Sequence, residues 1–374
     1  MGVGDLQAAK IEKANWELCF TFVSFMPKFL VIRFSSIGDI VLTSPVVRCL
    51  KQQVKDAEVH FLTKKSFSAV IEHNPFIDKK IYLEGAHPNL PEGKASENPL
   101  SKLIRQLKKE NYDFIIDLHH NLRTLKLKRA LGVKAFSFDK LNIEKWLLVN
   151  LKINRLPDIH IVDRYMKTVA SFGVMNDGKG LDYYISVEDG DAIQKLPPAF
   201  HQGYVAFVIG AKHNTKKLPD EKIISICKKI NHPIVLMGGK EDFETGEKIV
   251  AALQSQTIFN ACGKFSLNES AALIKFSTRV ISHDTGLMHI AAAYKKEIIS
   301  VWGNTIPEFG MSPYYGDFSI SNLKSEVLHL SCRPCSKIGF DKCPKGHFKC
   351  MVNQDEEKIA MEANKPRPSN GFNL

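Results

Sequence analysis

The stretch that most constrains this chain is KFLVIRFSSIGDIVLTSPVVRCL, residues 28–50. Residues 28–34 are an apolar run of Phe, Leu, Val and Ile, which predicts a buried parallel strand. Ser35, Ser36, Ile37 and Gly38 break the run. Ile40, Val41, Leu42, Val46, Val47 and Leu50 then fall at helical spacing, with Pro45 early, where a helix tolerates it. The stretch reads strand, small-residue turn, helix. Such a turn aims backbone N–H groups at a helix N-terminus, a place that attracts anions. Asp39 sits in the same turn, a carboxylate where a pure phosphate binder would avoid one. Either it does chemistry beside an anion, or it is a first-turn acid that suits the helix dipole.

The pattern recurs along the chain. Further strands are predicted at 58–63, 80–83, 112–118 and 135–138, and helices at 64–73, 100–109 and 160–172. Residues 84–99, rich in Gly, Pro and polar side chains, read as a surface loop. His119, His120, Asn121 and Arg123 follow the 112–118 strand, at the carboxyl end where open α/β sheets bind ligands; the plainer reading is a polar strand-to-helix loop. Residues 173–200 form a seam that includes a short strand at 181–187. Beyond it, strands at 204–209, 233–237, 257–260, 278–282 and 298–302 alternate with helices. The expected fold is α/β: two Rossmann-like, doubly wound parallel-sheet domains facing a cleft. The expected division is an extension at 1–25, an N-terminal domain at 26–178, a linker at 179–200, a C-terminal domain at 201–352 and a tail at 353–374. A length of 374 residues suits two domains.

Composition narrows the functions. With 44% hydrophobic and 24% charged residues the chain can bury cores, which excludes a disordered protein. A net charge of +11 favours phosphorylated ligands or anionic surfaces. The lysines are scattered and no nucleic-acid-binding signature is present, so nucleic acid is not an expected partner. No apolar run reaches the roughly 18 residues of a membrane span, and the N-terminus lacks the pattern of a secretory signal. A cytoplasmic protein is expected.

Three constellations carry chemistry in the second half. Asp284-Thr285-Gly286 with His289 places a hydroxyl, a glycine and helix N-terminal amides around an anion; an ordinary helix cap is the alternative. Thr215 and Lys216, followed by Lys217, come after a strand end, where a lysine neutralises a departing diphosphate; otherwise they form a solvated basic loop. Gly238-Gly239 with Glu241 and Asp242 resembles a nucleotide site in which an acid accepts the ribose hydroxyls. Cys332, Cys335, Cys343 and Cys350 are spaced C-x2-C-x7-C-x6-C, with His347 between the last two. Four soft ligands can hold a structural zinc, and free thiols packing a loop are the other reading.

Taken together, IRFSSIGDIVLTSPVVRCLK, the Lys-x-x-Pro loop at 216–219, HDTGLMHIAAA, SVWGNT and the terminal CRPC and CPKGHFKCM resemble the ADP-heptose:lipopolysaccharide heptosyltransferases, glycosyltransferase family 9. The resemblance covers roughly residues 26–352. It implies a GT-B fold with the donor on the C-terminal domain and the acceptor on the N-terminal one. It implies Asp39 as general base of a single inverting displacement, aimed by Ser36 and Gly38, with a sugar diphosphate leaving. Lys216 and the Thr285–Gly286 amides would take the charge of the diphosphate, with His289 nearby, and Asp242 or its rival Glu241 would hold the ribose. No metal would be needed for catalysis. The partners implied are ADP-heptose and a lipid-linked inner-core oligosaccharide at the inner face of the cytoplasmic membrane. The acceptor side, including His119, His120 and Arg123, follows no pattern carried over from the family. Transfer to another glycan from another nucleotide-sugar, and a non-catalytic nucleotide- or glycan-binding module, are the alternatives. A Rossmann oxidoreductase or epimerase is disfavoured by the lack of G-x-G-x-x-G after the first strand.

Overall fold

A computed structural model of the chain describes residues 26–84 and 98–366. The expected extension at 1–25 and nearly all of the expected surface loop lie outside the described residues. The first half builds a five-stranded parallel sheet from β1 (Lys28–Ile32), β2 (Glu58–Lys64), β3 (Lys79–Leu83), β4 (Phe114–Asp117) and β5 (Lys134–Ser137), in the order β3-β2-β1-β4-β5. The second half builds a six-stranded parallel sheet from β6 (Val205–Val208), β7 (Ile234–Met237), β8 (Ile258–Asn260), β9 (Arg279–His283), β10 (Ile298–Trp302) and β11 (Asn322–Glu326). Its order is β11-β10-β9-β6-β7-β8. In both sheets the chain reverses direction beside its first strand, β1 or β6. That switch point is where open α/β sheets place their ligands. The central strands are buried throughout, as near-continuous apolar runs in parallel sheets require.

The helix expected after β1 is two helices, α1 (Ile37–Val41) and α2 (Ser44–Gln53). Pro45 explains the break: it has no N–H for the ladder and its ring crowds the carbonyl four residues back. Thr43 Oγ1 donates to the Ile40 carbonyl at 2.6 Å across the gap. Helices α3 (Pro99–Lys108), α4 (Leu122–Leu131) and α5 (Asn142–Trp146), the last continuing as a π turn over Leu147–Leu151, precede α6 (Ile161–Met166).

The segment 181–187, expected as a strand, pairs with neither sheet. Its alternation is real, since Leu181 and Tyr183 are buried. Side chains, not a ladder, hold its backbone: Asp182 N donates to Ser44 Oγ at 2.9 Å. Arg48, 3% exposed, donates to Asp177 at 2.7 and 2.8 Å, to the Gly180 carbonyl at 2.9 Å, and to Asp182. This cluster fastens α2 to the seam between the halves. Gly180 lies at φ +70°, with the Tyr315 carbonyl carbon 2.6 Å from where a Cβ would stand.

The second half carries α7 (Val187–Gly190), α8 (Asp220–Lys228), α9 (Phe243–Leu253), α10 (Leu267–Phe276), α11 (Gly286–Ala293), α12 (Lys349–Val352) and α13 (Glu356–Ala363). The short helices α7 and α12, the strand β11 and the helix α13 went unread in the sequence. β11 is polar, NLKSE, because an edge strand packs on one side only. The stretch read as a tail begins with α13, whose Ile359, Ala360 and Ala363 join the core under β9 and β10. One continuous core joins the two halves, and Tyr183 Oη donates to Asn268 Oδ1 across it at 2.7 Å.

Arg48→Met should cost about 3–5 kcal/mol, since it leaves Asp177 and Asp182 without their buried partner; urea unfolding of the full chain measures it.

Candidate active site

Asp39 lies in the first turn of α1, where Ser36 and Asp39 form a reciprocal cap. Ser36 N and Ser36 Oγ donate to Asp39 Oδ2 at 3.0 and 2.7 Å. Arg33 Nη2 meets Asp39 Oδ1 at 2.6 Å. Burial alone would raise the Asp39 carboxyl, but Arg33 and the Ser36 bonds outweigh it and hold the group below its ordinary value of 3.8. The acid is therefore ionised at neutral pH; Arg33, which keeps it so, stands in the opening motif, but nothing in the residue order marks it as the partner of Asp39.

The turn meets the second half end to end. A Cβ on Gly38 would stand 2.5 Å from His289 Cδ2 and 3.3 Å from Gly286 Cα. A Cβ on Gly286 would stand 2.7 Å from Ile37 Cγ2 and 3.2 Å from Gly38 N. Both glycines are needed because two helix N-termini come together here. His289, 2% exposed, is one of the surfaces of this contact. Burial pushes its imidazole down to about 4, so it is neutral, and its Nδ1 has no hydrogen-bond partner among the described residues. Asp284 and then Asp39 act to raise it and Lys216 to lower it, and burial prevails.

On the second half, Lys216 Nζ lies 2.6 Å from Asp284 Oδ2. Thr305 Oγ1 donates to the same oxygen at 3.0 Å. His283 Nε2 accepts the Leu218 N–H at 3.0 Å and so fixes the lysine loop to the end of β9. Thr285 caps α11 by accepting from Leu287 N at 3.2 Å. The expected Asp284, Thr285, Gly286, His289 and Lys216 are thus gathered at one place. Thr305 and Asn304, the end of the SVWGNT stretch to which the sequence reading assigned no site role, join them. Asn304 is 1% exposed, and neither side-chain amide atom has a hydrogen-bond partner among the described residues.

Other expected residues make contacts within their own half. Thr215 is buried, and its hydroxyl both accepts from Phe340 N at 2.8 Å and donates to the Phe340 carbonyl at 3.0 Å, which ties down the cysteine-rich loop. Asp242 is 4% exposed and bonded within the protein, to Lys217 Nζ at 2.6 Å and Gly239 N at 2.9 Å. Glu241 is exposed, and its carboxylate folds back over Gly239. Gly238 and Gly239 make room for these acids; a Cβ on Gly238 would stand 2.8 Å from Asp242 Cβ.

On the first half, His119 stands edge-on to Phe34 with ring centroids 5.2 Å apart. Burial, then Arg33 and Lys140, bring its imidazole to about 4. His120, at φ 48°, gives its Nδ1 to the Phe138 carbonyl at 2.9 Å. Arg123 is exposed in the first turn of α4. Lys145 faces Arg164, Lys337, Lys140 and Asp39; burial is the main cause of its fall to about 8. Lys140, Lys145 and Lys337 thus act on one another electrostatically, and the first two also on Asp39, a basic grouping that sequence spacing does not reveal, since 337 comes from the other half.

Of the cysteines, Cys332 Sγ lies 3.7 Å from His347 Nε2. Burial and then Cys335 raise Cys350 to about 11, with Cys343 and Cys332 adding to the rise. Among the described residues, no three or more His, Cys, Asp or Glu side chains are gathered as ligands for a metal. Arg333, between Cys332 and Cys335, donates to the Gly303 carbonyl at 2.6 Å and the Thr305 carbonyl at 3.1 Å. The loop therefore buttresses the strand end that carries Asn304 and Thr305.

Two parallel-sheet α/β halves, meeting at their strand ends around paired lysines and carboxylates, have the architecture of the GT-B glycosyltransferases. The family model for glycosyltransferase family 9 (heptosyltransferase) matches residues 100–339, and the chain belongs to that family; it is a glycosyltransferase. The lipopolysaccharide heptosyltransferase 1 of Campylobacter coli is 24% identical over 296 residues, 74% of this chain and 84% of that one. The crystal structure of a glycosyl transferase family 9 protein from Veillonella parvula superposes with a TM-score of 0.68 at 22% identity, covering 90% of this chain and 96% of that one. The E. coli heptosyltransferase WaaC with ADP-2-deoxy-2-fluoro heptose gives 0.62 at 18% identity, covering 90% and 100%.

Gly286→Ala tests the contact between the halves. Its methyl group wedges α1 from α11, and a displacement of about 1 Å should lower kcat/KM roughly a hundredfold. The melting temperature, read alongside, should move by only a few degrees, about 1 kcal/mol in a chain of this size.

Proposed function

We propose that this glycosyltransferase moves heptose, or a similar sugar, from ADP-heptose to a lipopolysaccharide inner-core acceptor in one inverting displacement, with Asp39 as general base. The observation that carries the reading is the ionised Asp39 in a turn whose neighbour Gly38 packs on Gly286 of α11, the helix preceded by Asp284 with its partners Lys216 and Thr305. A carboxylate already ionised at neutral pH can take the proton of an attacking hydroxyl. The α11 amides and Lys216 are the groups on which charge leaving with a diphosphate would be stabilised. Lys216 is paired with Asp284 meanwhile, so a bound diphosphate competes for it with that carboxylate. The sugar donor is supported by the relatives: the similar E. coli structure holds an ADP-heptose analogue, and the C. coli relative is a lipopolysaccharide heptosyltransferase. For the ribose, Glu241 suits better than Asp242, whose two oxygens are already bonded within the protein.

The acceptor is anionic in this reading, held by Lys140, Lys145 and Lys337. The same rim bears exposed apolar side chains: Ile143, Trp146, Leu151 and Ile153 from the first half and Ile338 and Phe340 from the cysteine-rich loop. Lys152 Nζ joins the two segments by donating to the Pro334 carbonyl at 2.6 Å. Apolar and cationic side chains mixed around one opening suit contact with an anionic bilayer that carries a lipid-linked acceptor. No helix among the described residues is long and apolar enough to cross a membrane.

The deciding assay mixes protein, ADP-heptose and a deacylated inner-core acceptor and follows ADP release and product linkage. An inverted anomeric centre is expected. Asp39→Asn should lower kcat by about 10²–10⁴, the usual worth of a general base; full activity in that variant, or retained anomeric configuration, sinks the mechanism. Glu241→Ala should raise KM for the donor by about tenfold and leave kcat nearly unchanged, while loss of one charged hydrogen bond at Asp242 should show up as instability instead. Trp146→Ser should weaken co-sedimentation with phosphatidylglycerol vesicles and leave turnover of the deacylated acceptor as it was.

A further inference from the structure

The side chain of Arg33 does more than balance a charge. It leaves the end of β1 and is 9% exposed. Its Nε donates to the Ser35 carbonyl at 2.8 Å, and its Nη1 to the Leu118 carbonyl and, at 2.9 Å, to Tyr165 Oη. Its Nη2 meets Asp39 Oδ1 at 2.6 Å. Four of the five N–H donors are thereby committed to the turn, to the end of β4, to α6 and to the carboxylate. The guanidinium is a rigid fork, so its plane fixes the orientation of the carboxylate.

The lone pairs of Asp39 can be counted in the same way. Oδ2 accepts from Ser36 N and from Ser36 Oγ, which uses both of its lone pairs. Oδ1 accepts from Arg33 and keeps one. We propose that Arg33 is a positioning residue of the transfer: it leaves one lone pair on Asp39 Oδ1 as the place where the acceptor hydroxyl docks. This rests on the reading of Asp39 as base. In the step, the acceptor oxygen bonds to the anomeric carbon as its O–H bond breaks, and the proton passes to Oδ1. The bond from the anomeric carbon to the diphosphate oxygen breaks, and its electron pair leaves with the diphosphate.

A salt bridge alone would keep Asp39 ionised; a positioning role also demands the fork. The groups facing Asp39 are Arg33, Tyr165 of α6, His119, Lys140 and Lys145 on its own half, and His289 across the contact. His119 and His289 are already neutral at pH 7, so between pH 5 and 7 they leave the field at Asp39 nearly constant. The sign is then fixed: Arg33 lowers the Asp39 carboxyl, and its removal lets burial raise it.

The test measures kcat, donor KM and the pH profile of ADP release for the wild type, Arg33→Met, Arg33→Lys and Tyr165→Phe. The wild-type rate should stay flat down to about pH 5, as a depressed carboxyl requires. Arg33→Met should move the acid limb up by about a pH unit or more and lower kcat by about tenfold or more, with donor KM within about twofold. Arg33→Lys should restore the limb and leave kcat low. Tyr165→Phe, which frees one arm of the fork and keeps every charge, should lower kcat about threefold with the limb unmoved; it decides if Arg33→Met does not fold. Full kcat in Arg33→Lys together with full kcat in Tyr165→Phe overturns the positioning role. Asp39→Asn separates the two readings: activity in that variant removes the base itself, whereas an inactive Asp39→Asn with unaffected arginine variants removes only Arg33.

Discussion

Two helix N-termini, α1 and α11, press against each other with only Gly38 and Gly286 between them. Each end carries unsatisfied N–H groups and the positive end of a dipole, so the contact is electrostatically uphill unless negative charge lies close by. The structure supplies it from both sides. Asp39 caps the first helix together with Ser36, and Asp284 lies just before the second. Everything else in the site is arranged around those acids: Arg33 on one, Lys216 and Thr305 on the other, with neutral His289 packed on Gly38. The seam cluster around Arg48 and the shared core keep the two sheets at the spacing this contact requires.

Much of this was legible in the residue order. Apolar runs, small-residue turns and helical periods placed ten of the strands, most of them buried strands that are apolar nearly from end to end. What escaped was set by tertiary context. β11 is a polar edge strand, α13 shows only three small or apolar contact residues, and 181–187 alternates like a strand yet is held by Arg48 and Ser44 instead of by a ladder. Pro45 is the tolerated first-turn proline it was read as, but the helix it opens is α2, and the turn before it is a separate α1.

The site was half legible for a related reason. Motifs within one loop, such as Asp284-Thr285-Gly286 or Ser36 with Asp39, announce themselves by spacing. Partnerships over long sequence distances do not: Lys217 with Asp242, Thr215 with Phe340, Lys145 with Lys337. Asp242 looked like a ribose acid because it follows Gly-Gly after a strand; its burial beside Lys217 could be known only in three dimensions. The basic grouping of Lys140, Lys145 and Lys337 is assembled from residues almost two hundred positions apart in the chain, and no window of sequence contains it.

One consequence of the pairing pattern concerns electroneutrality. Arg33 with Asp39, Lys216 with Asp284 and Lys217 with Asp242 cancel charge two by two before any substrate arrives. In the proposed reaction, a diphosphate arriving at Lys216 would take that cation from an existing anion. Its affinity would be a difference between two ion pairs, not the sum of free attractions, and the carboxylate of Asp284 would be left in the site as a new anion. A site built this way would let go of a spent diphosphate by restoring its own internal pair, which avoids the tight product binding that bare lysines impose.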